Sequence, residues 1–337
     1  MNVSMWRKAL TVIPNVSKEE WDQLDAISRW LISTRAAVLV MTVLSAALAG
    51  LLAWRDSSFN LSAWIAVTLG LVLAHASNNL LNDYVDHARG VDQKNYFRTM
   101  YGPHPLENRL LTKRQHLAYF IFTVALAFIC GLYLMARNSY APQAWFLLGA
   151  GAFLLLFYTW PLKYIALGEI AVFLVWGPLM VGGGHYVITG AWSWNAALIG
   201  SIYAFGVTTV IFGKHIDKLA IDREKRIHTL PVVIGEKVSR YMVIGMMIFP
   251  YLIIFHLIGN KVFSPVLLVT LLALPSLRQV VPAFLKPKPA ERPADFPEGQ
   301  GGWPLYFAPL SFVYNRAFGS YFLLGLLADT LIRKFLM

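Results

Sequence analysis

Residues 78–92, NNLLNDYVDHARGVD, hold three amides and three carboxylates in fifteen positions. Asn78, Asn82 and Asp86 are four apart and share one face of a helix, with His75 on nearly the same face. Asp83 and Asp92 add two further carboxylates. Carboxylate oxygens at this spacing suit Mg²⁺, which keeps several waters and bridges a few carboxylates to substrate phosphates. Arg89, Lys94 and Arg98 follow closely. Cations among carboxylates make sense when a polyanion completes the site, and arginine grips phosphate with two hydrogen bonds.

A second mixed stretch, KHIDKLAIDREKRIHTLPVVIG, covers residues 214–235. His215, Lys218 and Asp222 share a helical face, whereas Asp217, five residues before Asp222, lies on a different one. A third stretch, residues 158–186, contains Lys163, Glu169, His185 and the glycines Gly182 to Gly184. Glu169 and His185 are ionisable groups within apolar sequence, which marks them for function. The glycines allow a helix or ligand to approach closely.

The elements that must position these residues are membrane helices. The chain has 337 residues, of which 57% are hydrophobic and only 14% charged, against about 25% charged in a soluble domain. A spanning helix needs about 20 largely apolar residues. Nine stretches qualify: 31–54, 62–81, 117–136, 142–160, 165–188, 195–213, 241–259, 262–283 and 317–332. The expected fold is therefore all-α, a polytopic membrane bundle of about nine transmembrane helices. Residues 1–28 read as an interfacial, cytoplasmic segment without the continuous apolar core of a signal peptide, and residues 29–337 as one membrane domain.

The net charge of +11 does not point to nucleic acid, because the basic residues sit in short loops where they meet lipid headgroups or an anionic substrate. Three loops, 82–116, 214–240 and 284–316, carry most of the Lys and Arg. With nine spans they fall on one side together with the N-terminus, and the positive-inside rule makes that side cytoplasmic, in an inner membrane of bacterial type. Residues 284–304 are rich in Pro and Gly and read as a loop. The single cysteine, Cys130, excludes an intrachain disulfide.

With these residues assembled, the sequence resembles the UbiA superfamily of intramembrane prenyltransferases, and within it the 1,4-dihydroxy-2-naphthoate branch. NDYVDHARGVD (82–92) is similar to the first Asp-rich motif, DREKRIHTLPVVIG (222–235) to the end of the second, and YTWPLKYIALGE (158–169) to the central segment. The resemblance implies Mg²⁺-dependent transfer of a prenyl group from a polyprenyl diphosphate to a lipophilic or aromatic, quinone-precursor-like acceptor. Another prenyl-diphosphate reaction, such as cyclisation, is the alternative, and a cation-coupled transporter a more distant one. By motif position, Asp86, Asp222 and Asp217 are the catalytic candidates. Asp83, Asp86, Asp92, Asp217 and Asp222 are the candidate metal ligands. Asn78, Asn82, Arg89, Lys94, Arg98, Lys163, His215 and Lys218 are the candidate substrate-binding residues.

This chain departs from the pattern twice. The acid expected four residues before Asp222 is Lys218, and Asp217 stands one place earlier. Either a one-residue bulge rotates Asp217 into the site, or Lys218 faces it; the bulge is favoured because a Mg²⁺ site gains more from a second carboxylate than from an ammonium. HPLENR (104–109) also replaces the usual Arg-Pro-Leu…Gly pattern.

Overall fold

Apolar runs of this length bury their backbone polar groups only as helices in lipid, and helices are what the chain forms. The computed structural model describes residues 1–92, 102–293 and 303–335. Three short helices open it: α1 (Val3–Thr11), α2 (Lys18–Gln23) and α3 (Ala26–Ser33). The bundle follows with α4 (Val40–Arg55), α5 (Leu61–Ala88), α6 (Lys113–Arg137), α7 (Pro142–Phe157), α8 (Gly168–Thr189) and α9 (Trp194–Asp217). The short α10 (Leu219–Glu224) and α11 (Leu230–Ile234) precede α12 (Glu236–Gly259), α13 (Pro265–Leu285) and α14 (Phe307–Phe335). Among the described residues, seven helices are long and apolar enough to cross a membrane. Of the nine expected spans, the fourth is a shorter apolar helix, α7, and the ninth, α14, carries Arg316 and Asp329 within its length. The only bridge among the described residues joins Ile165 to His228.

The N-terminal helices pack onto the bundle. Trp21, Leu31 and Ile32 are buried with Leu110 and Leu111. Asp25 caps α3 and accepts from the Trp6 indole and the Asn2 amide, which ties α1 to it.

α8 and α9 lie in close contact. A Cβ on Gly200 would come within 2.8 Å of the Gly177 carbonyl, and one on Gly182 within 3.0 Å of Ala197; small residues allow this approach in membrane bundles. The middle of α8, Val175–Gly183, is π-helical and contains Pro178. Proline cannot donate to the helical ladder, and the wider turn accommodates it.

Two helices differ from their apolar runs in a way that matters for the site. α5 continues seven residues beyond its apolar stretch and so carries Asp83 and Asp86 out of it. α14 begins ten residues before its run, at Phe307. The sequence breaks there at Asn315 and Arg316, but the helix starts where its first amides find a carboxylate, that of Asp217.

Candidate active site

Because α5 stays helical through residue 88, Asn78, Asn82 and Asp86 stack on one face. Asp86 is buried, and both its oxygens accept from Lys163 Nζ at 2.8 Å. Lys163 lies on the turn after α7 and is itself buried. Burial opposes its charge, but the Asp86 carboxylate more than compensates and raises the ammonium above its ordinary pKa. Asn82 donates to Asp86 at 3.1 Å and to Thr159 at 3.2 Å. Asn78 donates to the Leu155 carbonyl at 2.9 Å. Arg89 is exposed and lies over the rings of Trp160 and Tyr164, at 5.3 and 4.9 Å.

Asp83 points to the other side of α5 and pairs with Arg35, a buried residue in the left-handed region between α3 and α4. Asp92 accepts from His104 at 3.0 Å. One ligand atom each from Asp83, Asp92 and His104 lies within 4.8 Å of the others, all buried.

The second motif meets the first. Lys225 Nζ donates to the Val91 carbonyl, so the loop after α10 is fastened to the end of the first motif. Asp222 is buried with Lys218 Nζ at 3.6 Å. Burial opposes the charge on Lys163, and both Asp86 and Asp222 favour it.

Asp217 corrects the sequence reading. No bulge turns it toward Asp222: α9 runs as a regular α-helix to Asp217 and breaks at Lys218. The Asp217 carboxylate accepts from the backbone amides of Tyr306, Phe307 and Ala308 at 3.0–3.1 Å, with Lys288 at 3.8 Å. It caps α14 instead of joining the other acids. His215 is also committed elsewhere. Its Nδ1 is 2.6 Å from Glu169, which accepts from the Leu230 amide. That pair secures the start of α11. Lys94 and Arg98 lie outside the described residues.

Beneath this cluster opens a cavity of about 490 Å³. Its polar wall is Arg35, Asn78, Asn79, Asn82 and Lys214, with His75 deeper; the rest is overwhelmingly apolar, mostly from α5, α6, α7 and α8, with Val207, Val210 and Ile211 of α9. It extends from Asn82 to Val67 along α5, about 22 Å at 1.5 Å per residue. Arg35, Thr159 and His104 were not singled out from sequence as site residues. Arg35, a charge inside the first apolar run, and His104, in the HPLENR segment, are the readable signals.

The donor set fits a hard divalent cation. Asp83, Asp86, Asp92 and Asp222 are buried carboxylates, each facing a protein cation or imidazole, and the ligand atoms of Asp83 and Asp92 lie within 4.8 Å of each other. All-oxygen donors of this kind are those Mg²⁺ takes.

The sequence profile of the UbiA prenyltransferase family matches residues 43–296. UbiA prenyltransferase domain-containing protein 1 of Xenopus tropicalis is 26% identical over 220 residues, covering 63% of this chain and 61% of that protein. The 1,4-dihydroxy-2-naphthoate octaprenyltransferase of Escherichia coli is 30% identical over 229 residues, 65% of this chain and 72% of that one. The chain thus spans about three fifths of the length of the curated relatives it matches first. Among solved structures, the apo UbiA homolog from Aeropyrum pernix superposes with a TM-score of 0.62 at 18% identity, over 86% of this chain and 97% of that one. A UbiA homolog from Archaeoglobus fulgidus, bound to DMAPP and Mg²⁺, gives 0.53 at 14% identity, over 89% and 99%. These two structures share the fold.

Proposed function

The chain belongs to the UbiA prenyltransferase family, and from that premise we propose that it transfers a prenyl group from a polyprenyl diphosphate to an aromatic, quinone-precursor-like acceptor inside the bilayer. The observation that carries this reading is the junction of two environments. A buried cluster of carboxylates and cations from both motifs is joined, through Asn82, which lines the cavity and donates to Asp86, to a long apolar cavity. An amphiphile with a polyanionic head and an isoprenoid tail matches both parts. The Mg²⁺ and prenyl diphosphate bound by the Archaeoglobus homolog, and the naphthoate substrate in the name of the E. coli relative, support it.

In this reading Asp86, Asp92 and Asp222 would hold Mg²⁺, which would supply positive charge to a leaving diphosphate. Lys163 and Lys218, already directed at those carboxylates, orient the diphosphate oxygens, and Asn82 and Thr159 hold Asp86 in place. Arg89 guards the exposed rim. The apolar walls hold the tail and exclude water, which would quench an allylic cation. By the positive-inside rule the site faces the cytoplasm.

The reading predicts that purified protein, Mg²⁺, geranylgeranyl diphosphate and a panel of phenolic and quinol acceptors yield a prenylated acceptor detectable by mass. Release of diphosphate with only free prenyl alcohol or a cyclised hydrocarbon, across the whole panel, would refute the acceptor class.

A further inference from the structure

The segment HPLENR (104–109), where this chain leaves the family pattern, has a specific construction. His104 is fully buried. Its Nδ1 accepts from the backbone amides of Leu106, at 3.2 Å, and Glu107, at 3.4 Å. The Asn108 side chain accepts in return from the His104 amide at 2.8 Å, and Asn108 donates its own amide to the His104 carbonyl. Pro105 follows His104, where a fixed φ suits the first position of such a turn. The result is a reciprocally capped turn with the imidazole locked at its start.

The cap decides the tautomer. A nitrogen that accepts two amide hydrogens carries none, so in the neutral ring the proton is on Nε2. That nitrogen lies 3.0 Å from Asp92 Oδ2 and therefore donates to it. If Nε2 were a metal ligand, Nδ1 would need the proton, and two amide N–H groups would then face a third N–H. His104 belongs to a trio with metal-ligand spacing, yet its hydrogen bonds exclude it as a ligand in this arrangement.

We propose that His104 is a positioning residue: it orients the Asp92 carboxylate for the divalent cation by a hydrogen bond from Nε2, while its Nδ1 is held by the turn. This rests on Asp92 being a cation ligand, as in the proposed function. Outer partners of ligating groups are worth about ten- to a hundredfold in metal affinity. The turn supplies in this chain a fixed donor on Asp92 from residues that depart from the family pattern.

Two substitutions separate holding the turn from orienting the carboxylate. His104→Asn keeps an acceptor for the Leu106 and Glu107 amides, since asparagine is a strong cap, but its side chain is too short to reach Asp92. His104→Gln keeps a long-reaching N–H donor at the cost of the cap. The measurement is Mn²⁺ binding by electron paramagnetic resonance in detergent, with the unreactive thiolo analogue of geranyl diphosphate present and Mg²⁺ as competitor. His104→Asn is expected to weaken Mn²⁺ and Mg²⁺ equally, about ten- to a hundredfold, with a melting temperature near wild type. His104→Gln is expected to lower the melting temperature and bind Mn²⁺ within a few-fold of wild type. Wild-type affinity in His104→Asn overturns the proposal, and so does a loss of Mn²⁺ at least tenfold larger than of Mg²⁺, which would make the imidazole a ligand. Wild-type protein that binds no Mn²⁺ contradicts the reading of the site as well.

Discussion

Two aspartates five residues apart, Asp217 and Asp222, have opposite fates. Asp222 is buried beside Lys218 and acts on Lys163, whereas Asp217 satisfies three amides at the start of α14. In the proposed reading Asp222→Asn removes a carboxylate that would hold Mg²⁺, so Mg²⁺-dependent donor affinity should fall more than a hundredfold, the equivalent of about 3 kcal/mol. Asp217→Ala leaves orphan amides and should cost about 2 kcal/mol or more of stability, with donor affinity within a few-fold of wild type. Titrating a prenyl diphosphate in detergent and following thermal unfolding tests both. Asp217→Ala abolishing binding at an unchanged melting temperature would return Asp217 to the site. The face occupied by Asp222 was legible from its helical spacing to Lys218. The role of Asp217 was not, because its partners are backbone amides about ninety residues away, invisible to any side-chain pattern.

At the scale of elements, the close contact of α9 with the first turn of α14 makes the Asp217 cap possible. A Cβ on Gly213 would lie 2.7 Å from the Phe307 carbonyl carbon and oxygen, and backbone cannot yield as a flexible side chain would. In a free helix Gly→Ala gains about 1 kcal/mol. Here Gly213→Ala should instead lower the melting temperature, because it displaces the start of α14 from the cap. An unchanged or raised melting temperature would contradict the contact. Helix existence was readable from apolar length throughout. Helix ends were not: the extension of α5 to Ala88 depends on polar residues that find partners on other segments, Asp86 on Lys163 and Asp83 on Arg35. The π-helical turn around Pro178 lay hidden for a related reason, since an apolar run reads the same in either winding.

Across the whole molecule, the three basic loops picked out by their Lys and Arg meet at one end of the bundle. Lys225 reaches Val91, and Asp217 reaches Tyr306. Charge asymmetry along the sequence is thus sufficient to group the loops, while the cavity, lined mostly by α5 to α9, requires the packing itself. Donor binding tests the cavity and the adjoining charged cluster together. Geranylgeranyl diphosphate titrated calorimetrically into detergent-purified protein should bind tightly with Mg²⁺. Binding should weaken at least a hundredfold in EDTA and fall comparably for Asp86→Asn with Mg²⁺ present. Inorganic diphosphate, which leaves the apolar cavity unfilled, should bind much more weakly than the prenyl form. Equal affinity with and without Mg²⁺, or for the prenylated and bare diphosphates, would contradict the account.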